Sequence, residues 1–325
     1  MSELITIQPN ADNRLLWLEC AGRWLEAVER RRGSARSRHE YQKCLKAFFA
    51  YVDKDPANVT GADCQRWLAS LTETGLANTT IKTRLAAVSS FYNFACHKFE
   101  DTPGHYLHNF NPASICQRPH INLYEKAQGL NPEQTRALLK ACNRQTVKGA
   151  RDFALISFYL YTGRRRVEIA RLKWADIRDG AEPGAREYHY TGKGSKTAWR
   201  ELPGPVWIAL EFYLKQSGRI VQMQPDSPLF VATQHPGEIE RPLAEITVNQ
   251  ILDRAASRAG LEHVKVHGLR HTAAKLRRKG GYTLEQVSEF LDHNNIATTQ
   301  IYLGALESKG DIGWRNVEAL IGLEG

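Results

Sequence analysis

Between residues 101 and 129 the helical patterning of this chain stops. Pro103, Gly104, Pro112 and Pro119 fall there among mixed polar residues, and a helix cannot run through such a stretch. Apolar residues recur at helical spacing on both sides of it. The chain therefore divides into two separately cored parts, which suits 325 residues at roughly 150 per domain. The division places one domain at 1–105, a linker at 106–128 and a second domain at 129–325.

The first part reads as four helices. Residues 12–30 put Leu15, Leu18, Trp24, Leu25 and Val28 roughly on one stripe. Tyr41, Cys44, Leu45, Phe48, Phe49 and Val52 repeat at the three-and-four spacing of a buried helical face. Thr60 with Asp63 forms a capping box ahead of Trp67, Leu68 and Leu71, and Gly75 stops that helix. Asn78 is expected to cap a fourth helix carrying Ile81, Leu85, Val88, Phe91 and Tyr92. Lys82 and Arg84 lie off its apolar stripe, either as a solvated face or as contacts to phosphate.

The second part opens at Asn131-Pro132, a cap followed by proline at the first helical position. An apolar helix follows over Phe153–Tyr161, ended by Thr162-Gly163. Residues 186–202 change period: Tyr188 and Tyr190 alternate with polar neighbours around the turn-rich Gly192-Lys193-Gly194-Ser195, which predicts a β-hairpin with a basic tip. Helices are expected again at 206–216, 247–259, 268–279, 283–291 and 312–322. The fold class is thus mainly α, with a small antiparallel sheet in the second domain.

No apolar run approaches the ~18 residues that would span a bilayer, and Met1–Asn10 lacks the pattern of a signal peptide. A soluble, cytoplasmic protein is expected. The six cysteines lie far apart with no Cys-x-x-Cys pair, so reduced thiols are expected, not a zinc or redox motif. The net charge of +9 fits either a polyanion partner or simply a basic enzyme.

Four clusters in the second part carry potential chemistry. They are Thr162-Gly163-Arg164-Arg165-Arg166-Val167-Glu168 with Leu172-Lys173-Trp174-Ala175-Asp176, the hairpin tip with Lys193 and Lys196, His267-Gly268-Leu269-Arg270-His271, and Leu291-Asp292-His293 followed nine residues later by Tyr302. Each alone has an ordinary explanation, such as a wet basic surface or a packing tyrosine. The Gly-Lys-Gly-Ser-Lys-Thr stretch does not have the spacing of a nucleotide-binding loop.

In this order the clusters resemble the motif series of the tyrosine recombinases, the phage integrase family, and the resemblance extends over nearly the whole chain. It implies a helical core-binding, DNA-binding domain of SAM-like type, then a catalytic domain, in a compact two-domain enzyme of the Xer or Cre sort, with no arm-binding domain expected ahead of the helices. The resemblance makes Arg165 and Arg270 the catalytic arginines and Lys193 the hairpin lysine. His267 falls at the histidine of the His-x-x-Arg pair, His293 at the second histidine position and Tyr302 at the nucleophile. Glu168 matches an acidic supporting position. Arg164 stands where an apolar residue is usual, and Asp292 where glycine is common. Asp292 is expected to favour the protonated form of His293.

The implied reaction cuts and rejoins DNA through a 3′-phosphotyrosyl link, with no metal, ATP or other cofactor. Two guanidiniums would grip the phosphate oxygens through planar forks. Lys193 is the expected general acid, and His267 the proton acceptor or donor at the tyrosine. Lys82, Arg84 and Lys196 are candidate DNA contacts. The implied partner is double-stranded DNA with inverted-repeat core sites, bound by a homo-oligomer, a tetramer in the synaptic complex and nucleoid-associated. The tail with Trp314, Val317 and Leu320 would dock either on its own domain or on a neighbour. A type IB topoisomerase uses similar side chains, and a non-catalytic DNA-binding regulator on the same scaffold is a third possibility.

Overall fold

The computed structural model describes residues 11–33, 35–97, 107–121, 129–192, 197–232, 241–293 and 295–303. These fall into two units, the first ending at Ile121. The hairpin tip with Lys193 and Lys196, and the helix expected at 312–322, lie outside the described residues.

The first unit is built from α1 (Ala11–Arg32), α2 (Ala35–Val52), α3 (Gly61–Glu73) and α4 (Asn78–His97). Its core joins Trp17, Trp24 and Val28 to Phe48, Trp67, Leu85, Phe91 and Tyr92. The stripe expected on α1 holds at Trp24, Leu25 and Val28, which are buried, and shifts over the first turns. Leu15 and Leu18 are 65% and 62% exposed, while Trp17 and Cys20 are buried. Turning Trp17 inward lets it join Trp24 against the Phe91 ring, at 5.8 and 5.4 Å. An aromatic pair adds about 0.5–1.5 kcal/mol beyond its buried area, enough to favour Trp17 over Leu15 and Leu18 as the inward residue.

The Thr60–Asp63 capping box forms as expected, and Gly75 takes φ +71° just past the end of α3. Asn78 is not a cap. It is the first residue of α4, and its side-chain amide donates to the His120 carbonyl at 3.1 Å. Residues 107–121, assigned to the linker from sequence, pack within the first unit instead. Asn111 caps the short 3-10 turn Pro112–Ile115 and donates to Ser89 on α4, and Ala113 and Cys116 are buried in the core. The prolines break the helix without freeing the segment. Local composition shows the first effect and says nothing of the second.

The second unit contains α5 (Pro132–Lys140), α6 (Val147–Thr162), α7 (Arg166–Ala170), β1 (Ile177–Asp179), β2 (Arg186–Thr191), β3 (Thr197–Glu201), α8 (Gly204–Gln216), α9 (Glu245–Arg258), α10 (Val266–Lys279), α11 (Leu284–Phe290) and α12 (Ile296–Leu303). Apolar on most sides, α6 runs through the core against α8 and α10. The sheet is antiparallel in the order β1-β2-β3, with Tyr188 opposite Arg200 and Tyr190 opposite Ala198. Tyr188 and Tyr190 are buried, as their alternation requires. Strand β1 was not anticipated, because three residues are too few to show a period.

Gly163 ends α6 at φ +61°, and a Cβ there would lie 2.8 Å from the Phe290 ring. Glycine satisfies both demands. The close approach it permits brings the end of α6 against the end of α11, next to the residues of the candidate site.

Candidate active site

The three consecutive arginines have three different fates. Arg164, 2% exposed, donates to the carbonyls of Thr162 and Phe290 and forms an ion pair with Asp292. Its guanidinium lies over the Tyr190 ring, 4.5 Å from the centroid. Arg166 turns to α9, donating to Glu245 at 2.6 Å and Asn249 at 3.2 Å. Arg165 precedes α7. Glu168, buried in the first turn, accepts from its backbone N–H at 2.7 Å and its guanidinium at 2.9 Å. With a third of its side chain exposed, Arg165 lines a cavity of about 570 Å³ with His267 and Arg270, and a second recess of about 660 Å³ with His189 and Thr191 of β2.

On α10, His267 stands in the first turn and Arg270 one turn later. Arg270 is 1% exposed. One terminal nitrogen donates to the Gly163 carbonyl at 2.5 Å and the other to the Leu291 carbonyl. These bonds fix the guanidinium between the ends of α6 and α11. His267 remains exposed at the cavity, with its ring edge-on to His271 at 4.9 Å. The covering of its ring, and then the charges of Arg270 and Arg165, lower its pKa.

His293 follows α11, and its Nδ1 shares a 2.8 Å hydrogen bond with the buried Thr299 hydroxyl. Its pKa falls from 6.5 to about 4, through burial first and then the charges of Arg270 and Arg165. Asp292 does act in the expected direction, favouring imidazolium, but burial and the two guanidiniums outweigh it. The same carboxylate accepts hydrogen bonds from Arg164, Tyr190 and Arg200. Burial opposes ionisation of Asp292, yet the Tyr190 hydroxyl and the Arg164 and Arg200 charges hold its carboxyl below the ordinary value.

Arg165, His267, Arg270 and His293 thus lie close enough to share one electrostatic field. Tyr302 lies on α12, which packs against α10 and α11; its side chain is outside the described residues. On the first unit, Lys82 is exposed and Arg84 half-buried on α4, and Arg84 borders a recess of about 390 Å³ with Tyr41 and Lys43 of α2. Among the described residues, no three His, Cys, Asp or Glu side chains are placed to hold a metal ion. No described helix is long and apolar enough to cross a membrane.

The alternation on β2 marks Tyr190 as a buried strand residue without linking it to the site, and no motif points to Arg200 or Thr299. Sequence reasoning noted Arg164 and Asp292 as separate oddities. A charged residue at each of two positions that favour an uncharged one was the available signal, since a buried charge needs a partner.

Residues 128–309 match the family model described as the phage integrase family, and residues 21–98 match the phage integrase N-terminal SAM-like domain. A tyrosine recombinase of Synechococcus elongatus is 28% identical over 295 residues, 83% of this chain and 84% of that protein. Tyrosine recombinase XerC of Mycobacterium sp. strain JLS is 28% identical over 285 residues, 85% of this chain and 90% of its own length. In fold, the chain is similar to XerH site-specific recombinase in its post-cleavage complex with a palindromic difH substrate. The TM-score is 0.69 at 20% identity, covering 96% of this chain and 94% of that one. With its catalytic-domain match extending over more than half of its length, and the helical domain before it matched as well, this chain belongs to the phage integrase family, the tyrosine recombinases.

Proposed function

We propose that the protein is a site-specific DNA recombinase that cuts and rejoins strands through a 3′-phosphotyrosyl intermediate on Tyr302. The observation that carries this is the position of Arg165. It borders both recesses, and its charge acts with that of Arg270 on both His267 and His293.

The site would work by fixed positive charge. In-line attack on a phosphodiester concentrates negative charge on the non-bridging oxygens, and guanidiniums already held in place stabilise it without reorganising. Glu168 holds Arg165 and two backbone carbonyls hold Arg270, so little ordering remains to be done when DNA arrives. A phenol with a pKa of about 10 is a weak nucleophile at neutral pH. His267, kept neutral by its surroundings, can take its proton. Tyr302 Oη then bonds to phosphorus, the bond from phosphorus to the 5′ oxygen breaks, and that oxygen takes a proton from the Lys193 ammonium. His293 donates a further hydrogen bond to the phosphate. The phosphodiester energy stays in the tyrosyl link, so attack by a partner 5′ hydroxyl reseals DNA without ATP. The charge is neutralised by arginine, so the step needs no metal.

Exchange between two duplexes requires four strand cleavages, one per tyrosine, which makes a homotetramer on inverted-repeat core sites the working form. Lys82, Arg84 and Lys196 would contact phosphates and give steep salt dependence. The reaction belongs in the cytoplasm, on nucleoid DNA. A Tyr302→Phe protein should bind its DNA site yet form no covalent adduct, and Arg165→Ala should lose cleavage far more than binding. A persistent adduct or undiminished cleavage would remove those assignments. Relaxation of any supercoiled plasmid regardless of sequence would favour the type IB topoisomerase reading instead.

A further inference from the structure

Asp292 takes no part in the proton and phosphoryl transfers, yet it gathers donors from three separate segments. It adopts φ +50°, a backbone conformation that costs an L residue energy and persists only where the surroundings impose it. Its carboxylate accepts from Arg164, from the Tyr190 hydroxyl at 2.5 Å and from Arg200 at 3.1 Å. Arg164 is itself fastened to the Thr162 and Phe290 carbonyls, so the carboxylate rests on a fixed support. The other two donors stand on β2 and β3, the two strands that flank the connection carrying Lys193.

We propose that Asp292 is a positioning residue for leaving-group protonation, acting through Tyr190 and Arg200 to fasten both strands of the hairpin to the turn that precedes His293. The inference rests on the reading of Lys193 as general acid. A proton donor must come within hydrogen-bond reach of the departing oxygen. Pairing with β1 and the burial of Tyr188 and Tyr190 hold β2, but β3 is an edge strand with β2 alone beside it, which leaves the donor room to wander by more than that reach. One carboxylate holding both strands removes that freedom. A purely structural ion pair would need only Arg164. The two further donors, one from each strand, are what a tether for the hairpin requires.

The test uses a nicked duplex whose sequence the wild-type protein captures covalently from a randomised library. It is made with either oxygen or sulfur at the 5′-bridging position of the scissile phosphate. A thiol is a much stronger acid than an alcohol, so sulfur departs without being protonated. Cleavage is followed in single turnover at saturating duplex, which removes differences in binding. Arg200→Ala leaves the buried Arg164–Asp292 pair intact. It should slow the oxygen substrate about 10- to 100-fold while staying within about threefold of wild type on sulfur. The double variant Arg164→Leu, Asp292→Gly removes the carboxylate together with its buried counter-charge. It should keep the wild-type melting temperature to within a few degrees and show the same oxygen-only defect. Lys193→Ala is the reference and should be rescued by sulfur. If Lys193→Ala stays slow on sulfur, the general-acid reading fails and takes this inference with it. If Lys193→Ala is rescued while Arg200→Ala is equally slow on both substrates, or is not slowed at all, this inference alone is overturned.

Discussion

Asp63 in the first unit and Asp292 in the second are both carboxylates that collect several donors, and they differ in reach. Asp63 accepts from Lys54 at 2.8 Å, from the Thr60 N–H and hydroxyl at 2.9 and 2.8 Å, and from Arg66, all within nine residues. The Lys54 hydrogen bond, joined by those from Thr60, drives its pKa far below the ordinary carboxylate value. The donors of Asp292 lie 92, 102 and 128 residues away along the chain. The first arrangement caps the start of a helix and the second joins three segments around a site. Similar chemistry serves secondary structure when its partners are near in sequence and tertiary geometry when they are far.

Removing each charge separates the two cases. Asp292→Asn strands the buried Arg164 cation, and breaking a buried pair in this way costs about 3 kcal/mol or more. The second unit should melt markedly lower, and the double variant Arg164→Leu, Asp292→Gly should restore most of the loss, because an apolar replacement needs no counter-charge and glycine accepts φ +50°. Failure of the double variant to recover would mean that Asp292 stabilises chiefly through Tyr190 and Arg200.

Asp63→Asn should cost less, about 1–2 kcal/mol, because Lys54 and Arg66 stay largely exposed and return to water once released. A loss as large as that of Asp292→Asn would break the distinction between the two carboxylates. Urea unfolding of each variant measures both.

The smallest effect is on pH dependence. His293 has a pKa of about 4 in the folded protein against an ordinary 6.5. Between those values the unfolded chain binds a proton that the folded chain does not, so stability declines as pH falls through that window. The lowered pKa of His267 acts with the same sign. Melting temperatures of the DNA-free protein should therefore drop from pH 6.5 towards 4, with a shallower slope for His293→Gln. An unchanged slope would place the titration elsewhere. The anionic scissile phosphate should raise the His293 pKa, visible as a shift of its ring resonances on adding DNA.

The same contrast decides how much of the molecule could be read from its residues. The Thr60–Asp63 box, the Asn131-Pro132 start, the α2 stripe and the Tyr188/Tyr190 alternation are local, because hydrogen bonding and burial there depend on spacings of two to four residues. On α1 the inward Trp24, Leu25 and Val28 were legible but the first turns were not, since Leu15 with Leu18 and Trp17 with Cys20 share the same spacing and contact of Trp17 with Phe91 selected the second pair. Nor was the packing of residues 107–121, since prolines report where a helix breaks and not where the chain goes next. At the site, Arg165, His267, Arg270 and His293 could be named from motif order, and the structure brings these four together. Motif order also singles out Arg165 among three adjacent arginines, whereas the roles of its neighbours followed only from seeing Asp292 pair with Arg164 and Glu245 with Arg166.

The central claim is that Tyr302 bonds covalently to a phosphate gripped by Arg165 and Arg270. It is tested most directly by trapping the protein on a nicked duplex, digesting the adduct with protease and nuclease, and locating the nucleotide by mass spectrometry. The account predicts a 3′-phosphorylated nucleotide on the peptide containing Tyr302, with a free 5′ hydroxyl on the released strand. A nucleotide on any other side chain, or a 5′-phosphate linkage, would contradict it.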